Sequence, residues 1–295
     1  MNRNQKDKIH IIALLLFLVI CLPFTGKSQQ QLPTKLKTSL NAYSFNRPLM
    51  KGEMNLDELL EYCAANQFDA VDITAYYFPG YPEVPSDEYL YHIKQKAFLL
   101  GLEISGTGVR NDFTDPDPAK RRESVKLVKN WILAAEKIGA PVIRVFSGTA
   151  DVSNLQREEV IKYMVADLKE CAEFGKAHGV VVAIQNHHDF LKTADETIDI
   201  INRVNSDWFG LILDIGSFRA DAYQEIEKAI PYAVSWQLKE NLYLNGVEQK
   251  TDVTKIMALI KKSGYRGHIP IETLGEGDPK VKVSVFLQEI REAMK

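Results

Sequence analysis

Short apolar runs rich in β-branched residues alternate along the chain with longer segments whose apolar positions recur at helical spacing. The clearest run, Val180-Val181-Val182-Ala183-Ile184 behind Gly179, breaks off abruptly into Gln185-Asn186-His187-His188-Asp189. Apolar side chains on both faces predict a fully buried parallel strand, and the polar groups crowd its C-terminal end. Further strands are predicted over 39–45, 70–74, 102–107, 142–146, 210–214, 234–238 and 269–272. Helices lie between them with their own start and stop signals. Asn55 with Glu58, and Thr193 with Glu196, have the spacing of capping boxes, which satisfy two first-turn amides reciprocally. Ser86, Pro118, Asp252 and the pair Asp278-Pro279 open further helices, and Gly101, Gly139 and Gly264 suit left-handed helix ends. A long helix over 156–178 and a short one over 223–229 complete the pattern.

Eight strand–helix units in a chain of 295 residues predict an α/β fold built as a single (β/α)8 TIM barrel. A doubly wound sheet would use fewer units, and no glycine-rich dinucleotide fingerprint follows the first strand. In such a barrel the loops leaving the C-terminal ends of the strands build the site. After the first three strands these loops are rich in aromatics: Tyr43, Phe45, Tyr76, Tyr77, Phe78, Tyr81 and Phe113. Together they suggest an apolar wall over the barrel mouth, although most are expected simply to pack the loops.

The N-terminus breaks the pattern. Arg3, Lys6 and Lys8 precede an apolar run over 9–24, and Gly26 and Ser28 stand where a signal peptidase requires small residues. Residues 1–28 are read as a cleavable signal peptide, 29–37 as a polar linker and 38–295 as the barrel. Export to the periplasm follows, with no stable membrane span after processing. Lipid attachment at Cys21 fits less well, because the bulky Ile20 precedes it. Cys63 and Cys171, far apart on apolar helix faces, read as small buried hydrophobes rather than as a disulfide framework. With 45% hydrophobic and 25% charged residues the chain can bury a full core, and a net charge of -3 supplies no basic field for nucleic acid.

Side chains alternate along a strand, so Gln185 shares a face with Ala183 and His187, and Asp214 with Ile212. Likewise Gln237 and Lys239 share a face with Ser235, and Glu272 with Pro270. If each set faces the barrel axis, Gln185, Asp214, Gln237 and Glu272 converge at the mouth. Two carboxylates and two amides can hold a divalent cation through oxygen, a set better suited to manganese, magnesium or calcium than to zinc. The same residues can instead form a hydrogen-bonded polar layer without metal; ligation is ranked ahead of it.

These strand ends resemble those of the xylose isomerase-like barrels, often labelled sugar phosphate isomerases and epimerases, and the similarity runs from Leu40 to Glu289. In that family a Glu of a Glu-Asn-His motif on strand five, an Asp on strand six, a His on strand seven and a Glu on strand eight bind one divalent metal. Asp214 and Glu272, the latter in Ile-Glu-Thr-Leu-Gly, match. Gln185 stands in for the Glu, Gln237 for the His, and Ser217 for a further His found in some epimerases. The resemblance implies removal of a proton next to a carbonyl, with the metal polarising that carbonyl. An amide accepts no proton, so Gln185 removes one of the two bases that epimerisation uses and leaves Glu272.

His187, His188 and Lys239 are candidate acids, His188 pointing away from His187 by alternation. Asn41, Asp72, Arg144 and Asn186 are expected at the substrate, Arg144 as an anion ligand. An exported enzyme does not meet cytoplasmic sugar phosphates, so a neutral sugar or glycoside is expected. The preferred reading is a metal-dependent 3-keto-glycoside lyase, in which the ketone acidifies the C2 proton and the C1 aglycone leaves by β-elimination. A sugar isomerase or epimerase of the same family, and a sugar-binding barrel without catalysis, are the alternatives. The oligomeric state stays open.

Overall fold

β-Branched runs that are apolar on both faces need cover on both, and a ring of parallel strands inside a ring of helices supplies it. The computed structural model describes residues 35–151 and 154–295; the expected signal peptide over 1–28 and residues 29–34 of the expected linker lie outside them. The strands are β1 (Leu36–Asn41), β2 (Ala70–Thr74), β3 (Glu103–Gly108), β4 (Val142–Val145), β5 (Val181–Gln185), β6 (Phe209–Asp214), β7 (Ala233–Lys239), β8 (Asn241–Leu244), β9 (Val247–Lys250) and β10 (Gly267–Glu272). All but β8 and β9 close into one parallel barrel, in the order β1-β10-β7-β6-β5-β4-β3-β2. This is the (β/α)8 TIM barrel predicted.

The side chains that point away from the axis, among them Val71, Ile73, Val182, Ile184, Leu213 and Ile271, are fully buried under the helices. Each contributes roughly 1.5–3 kcal/mol by leaving water. Inside the ring Val142, Ala183 and Ile212 form a small cluster of their own. One pleat repeat further on, the same faces of β5 and β6 carry Gln185 and Asp214, so the interior turns from apolar to polar toward the strand ends. Parallel register sets Asp214 level with Gln237, and Lys239 level with Glu272.

The helices begin and end where their signals predict. Asn55 Oδ1 accepts from Glu58 N at 2.9 Å while Glu58 Oε2 accepts from Asn55 N at 2.8 Å, and Thr193 and Glu196 form the same reciprocal pair. Gly139 and Gly264 cap their helices with φ of 82° and 75°. Cys63 and Cys171 are buried free thiols. No described helix is long and apolar enough to cross a membrane.

Two departures from the sequence reading shape the mouth of the barrel. β1 starts at Leu36 and ends at Asn41, where a strand over 39–45 was predicted, because Asn41 Oδ1 accepts from Tyr43 N at 2.9 Å and turns the chain into a 3-10 helix over Ala42–Phe45. After β7 the chain forms an antiparallel hairpin, β8 with β9, which the sequence reading lacks.

Candidate active site

Five of the expected side chains meet at the C-terminal mouth, each delivered by the end of a strand. Asp214 is fully buried. Its Oδ1 accepts from Gly216 N at 2.9 Å, and its Oδ2 accepts from Gln185 Nε2 at 2.7 Å and Ser217 Oγ at 2.9 Å. Glu272, 2% exposed, accepts through Oε2 from Gln237 Nε2. Between the two carboxylates lies the Lys239 ammonium, 3.1 Å from Asp214 Oδ2 and 3.0 Å from Glu272 Oε1. Gly216 makes room for the lysine arm: a Cβ there would stand 2.6 Å from Lys239 Cδ.

This arrangement is the hydrogen-bonded polar layer, the second of the two that the sequence allows. Gln185, Asp214, Gln237 and Glu272 do come together, with the Lys239 ammonium between the two carboxylates and each amide bonded to one of them. The donor set does not fit a divalent cation, since both amides turn their NH2 groups to the carboxylates and Lys239 already neutralises one of the two negative charges. Turning either amide over would set oxygen against oxygen. Among the described residues no group of three or more His, Cys, Asp or Glu side chains is placed to hold a metal ion.

Charge at the mouth follows from burial. Removal from water disfavours the Lys239 ammonium, but Asp214 and Glu272 outweigh that and hold its pKa above the ordinary value. Burial raises the pKa of Glu272, with Lys239 opposing. Burial also pushes Asp72 up to about 6, with Arg144 opposing. His187 moves the other way, burial lowering its pKa.

The remaining candidates divide. Asn41, Asp72 and Arg144 line the cleft above the layer. Arg144 donates to Val109 O at 2.7 Å and to the Tyr76 hydroxyl at 2.5 Å. Asn186, expected at the substrate, is instead 1% exposed and spent on the backbone of Asp214: Nδ2 donates to its carbonyl at 2.8 Å and Oδ1 accepts from its N–H at 2.9 Å. It follows Gln185 on the opposite face of the strand, which explains why it cannot reach the cleft. His188 has φ of 59°, and its Nδ1 is buried with no partner found among the described residues. Of the aromatics, Tyr43 and Tyr76 line the cleft, whereas Phe45, Phe78 and Phe113 are buried in the core.

The cleft has two lobes. One, of about 380 Å³, is walled by Asn41, Asp72, Tyr76, Arg144 and Phe146; the other, of about 410 Å³, by Ser217, Arg219, Asn241 and Tyr243. His187, Lys239, Glu272 and Leu274 line both and form the seam. The His187 ring lies 4.6 Å from that of Phe146, and Nδ1 is 3.9 Å from Asp189 Oδ2. A larger recess of about 650 Å³ lies between Tyr43–Met54 and Thr273–Lys282, but its carboxylates, Glu53, Glu276 and Asp278, are exposed. Sequence reasoning missed the second lobe, whose signal was the Asn245-Gly246 turn of the hairpin that carries Asn241 and Tyr243.

The model of the xylose isomerase-like TIM barrel family matches residues 60–291. No curated protein matches the chain. Solved structures with the same fold include D-psicose 3-epimerase with D-tagatose from Clostridium cellulolyticum H10, with 16% identity, coverage of 88% of this chain and 99% of that one, and a TM-score of 0.70. The probable 3-DHS dehydratase involved in petrobactin synthesis in Bacillus anthracis shows 16% identity over 86% and 98% of the two chains, with a TM-score of 0.66. The IOLI protein with a binding zinc atom shows 17% identity over 87% and 96%, with a TM-score of 0.68. At these identities the likeness establishes the fold.

Proposed function

Since the chain belongs to the xylose isomerase-like TIM barrel family, we propose that it is an exported enzyme that enolises a keto-sugar, acting as a lyase on 3-keto-glycosides. The observation that carries this reading is the two-lobed cleft with a carboxylate at its seam: one lobe can take the keto-sugar ring and the other the aglycone, which sets the bond between them beside Glu272 and His187. Among proteins that share the fold are a D-psicose 3-epimerase, seen with D-tagatose, and a probable 3-DHS dehydratase, so both epimerisation and elimination are named on this barrel, which supports carbonyl-adjacent proton chemistry. Export, expected from residues 1–28, favours a neutral glycoside.

In this proposal Glu272 takes the C2 proton, and the C–H electron pair moves into the C2–C3 bond as the ketone oxygen becomes an enolate. That pair returns to form C1=C2 as the C1–O bond breaks and the C3 carbonyl re-forms, and the leaving oxygen takes a proton from His187 in its protonated form, which its lowered pKa confines to acid pH. No net redox change occurs. The raised pKa of Glu272 suits removal of a carbon acid's proton, because a buried carboxylate is more basic than an exposed one. Lys239 is a poor choice of acid, since losing its proton would leave two buried carboxylates facing each other.

A second reading, epimerisation, has one observation in its favour. Asp72, in the first lobe and with its pKa pushed up to about 6, can supply the second acid or base that Gln185 cannot. The test is incubation of 3-keto-glycosides and of plain ketoses in deuterated water. Loss of aglycone is expected together with deuterium at C2 of the recovered glycoside, where the enolate has been reprotonated; an epimerised ketose without elimination would favour the second reading. Absence of exchange into any substrate that binds would reduce the protein to a sugar-binding barrel. Glu272→Gln is expected to lower exchange at least 100-fold with unchanged thermal stability; near wild-type exchange would remove Glu272 as the base.

A further inference from the structure

We infer that Lys239 is the resident cation of this site, its ammonium standing in the position of a divalent metal and offering its third N–H to the substrate's carbonyl and enolate oxygen. The inference rests on the enolising reading for its substrate, and on geometry for everything else. An ammonium has three N–H donors. Nζ stands 3.1 and 3.0 Å from Asp214 Oδ2 and Glu272 Oε1, ion pairs that engage two of them. The side chain is 14% exposed and lines both lobes, so the third donor is open to the cleft.

The surroundings are built for such a cation. Gln185 and Gln237 each donate to one of the two carboxylates that hold Nζ, so both amides would have to turn over to offer oxygen to a metal. Gly216, where a Cβ would stand 2.6 Å from Lys239 Cδ, keeps the path of the lysine arm clear. Thr251 Oγ1 donates to Lys239 O at 2.7 Å and ties down the backbone from which the arm departs. The two amides that replace charged or imidazole ligands in the sequence comparison are therefore not weakened metal ligands. They complete the hydrogen bonding of carboxylates whose counter-charge comes from within the chain. A fixed N–H aimed at a developing oxyanion is worth roughly 100- to 1000-fold in rate.

The experiment needs no substrate for its main readout. Full-length mature protein, freed of metal with chelator, is titrated with Mn2+ by electron paramagnetic resonance and calorimetry. Wild type is expected to show no stoichiometric site and no change in thermal midpoint with Mn2+ or chelator. Lys239→Ala, which bares two carboxylates, is expected to bind one Mn2+ per chain, and Lys239→Ala with Asp214→Asn to lose it. One Mn2+ per chain bound by wild type and lost in Glu272→Gln would overturn the inference, as would a folded Lys239→Ala that binds none. Should Lys239→Ala fail to fold, the wild-type titration still decides, and Lys239→Met, which keeps the packing of the stem, replaces it in the rate measurement. There deuterium exchange is expected to fall 100- to 1000-fold in Lys239→Met and to be unaffected by chelator in wild type. Exchange that dies with chelator also overturns it. Absence of exchange in every protein would count against the enolising reading alone, since the Mn2+ titration stands apart from it.

Discussion

Gly106 has no side chain, and Asp72 occupies the space it leaves: a Cβ there would lie 2.7 Å from Asp72 Oδ2. Gly108, two residues on, similarly leaves room for Arg144, whose Nε would be 2.8 Å from an added Cβ. The polar and small residues of β3 thus serve its neighbours, and they set a carboxyl in a place where burial raises its pKa to about 6. The linkage has a definite sign. A carboxyl whose pKa is higher folded than unfolded binds extra protons when folded, so it contributes most below its ordinary value of 3.8, and that contribution is lost as pH rises through about 6. Asp72→Asn removes the cost of ionisation, which is about 1 to 2 kcal/mol once the opening to the cleft is allowed for. Denaturant unfolding is expected to show the variant more stable than wild type at pH 8 by that amount and little changed at pH 4. Equal differences at both values would mean that Asp72 ionises as it does in water.

The hairpin β8–β9 is the element that turns a barrel mouth into a cleft with two lobes. Its turn, Asn245-Gly246, holds φ of 52° and 76°, and the turn amides donate to Ala220 O and Arg219 O at 2.6 and 3.0 Å. Arg219 in turn stacks its guanidinium 3.8 Å above the Tyr243 ring. A β-branched residue strains the left-handed position by roughly 1–2 kcal/mol, enough to loosen a hairpin this short. Gly246→Val is therefore expected to speed amide exchange over residues 241–250 while leaving the barrel's melting temperature in place. KM should rise for glycosides with a bulky aglycone and stay the same for plain keto-sugars; a uniform rise for both would detach the hairpin from aglycone binding. This element also shows where the sequence was legible and where it was not. The barrel strands announced themselves through two-faced apolar runs, and the helices through caps such as Asn55 with Glu58. β9 is exposed along its whole length and carries no apolar alternation, so only the Asn-Gly pair marked it. At the site the alternation of β7 put Gln237 and Lys239 on one face, and that much was readable. Which of a metal or the lysine would sit among the carboxylates depends on where a flexible arm goes, and the residue that directs it, Gly216, lies on another strand's loop.

Across the whole molecule, the two ends of the barrel carry different burdens. The mouth gathers Lys239, Asp214 and Glu272, whose mutual arrangement serves the cleft, while the N-terminal end is closed by contacts that no lobe touches. There Asp69 Oδ2 accepts from Thr38 N at 2.7 Å and from Thr38 Oγ1 at 2.8 Å, pinning the loop before β2 to β1, and Glu103 accepts from Lys37 and, at 2.8 Å, from His268 Nε2. Thr38 is 3% exposed, so removing its partner leaves a largely buried N–H and hydroxyl without an acceptor. That costs about 1–3 kcal/mol. In a barrel of this size each kcal/mol moves the melting temperature by roughly 2–4 °C. Asp69→Ala is therefore expected to melt about 3–10 °C lower with turnover unchanged at 25 °C, whereas Glu272→Gln is expected to lose turnover and keep its melting temperature. The pair is measured together, by calorimetry and by deuterium exchange into substrate. If Asp69→Ala lost turnover while still folded, the strands would be transmitting strain along their length, and the separation between a stabilising end and a reactive end would not hold for this barrel.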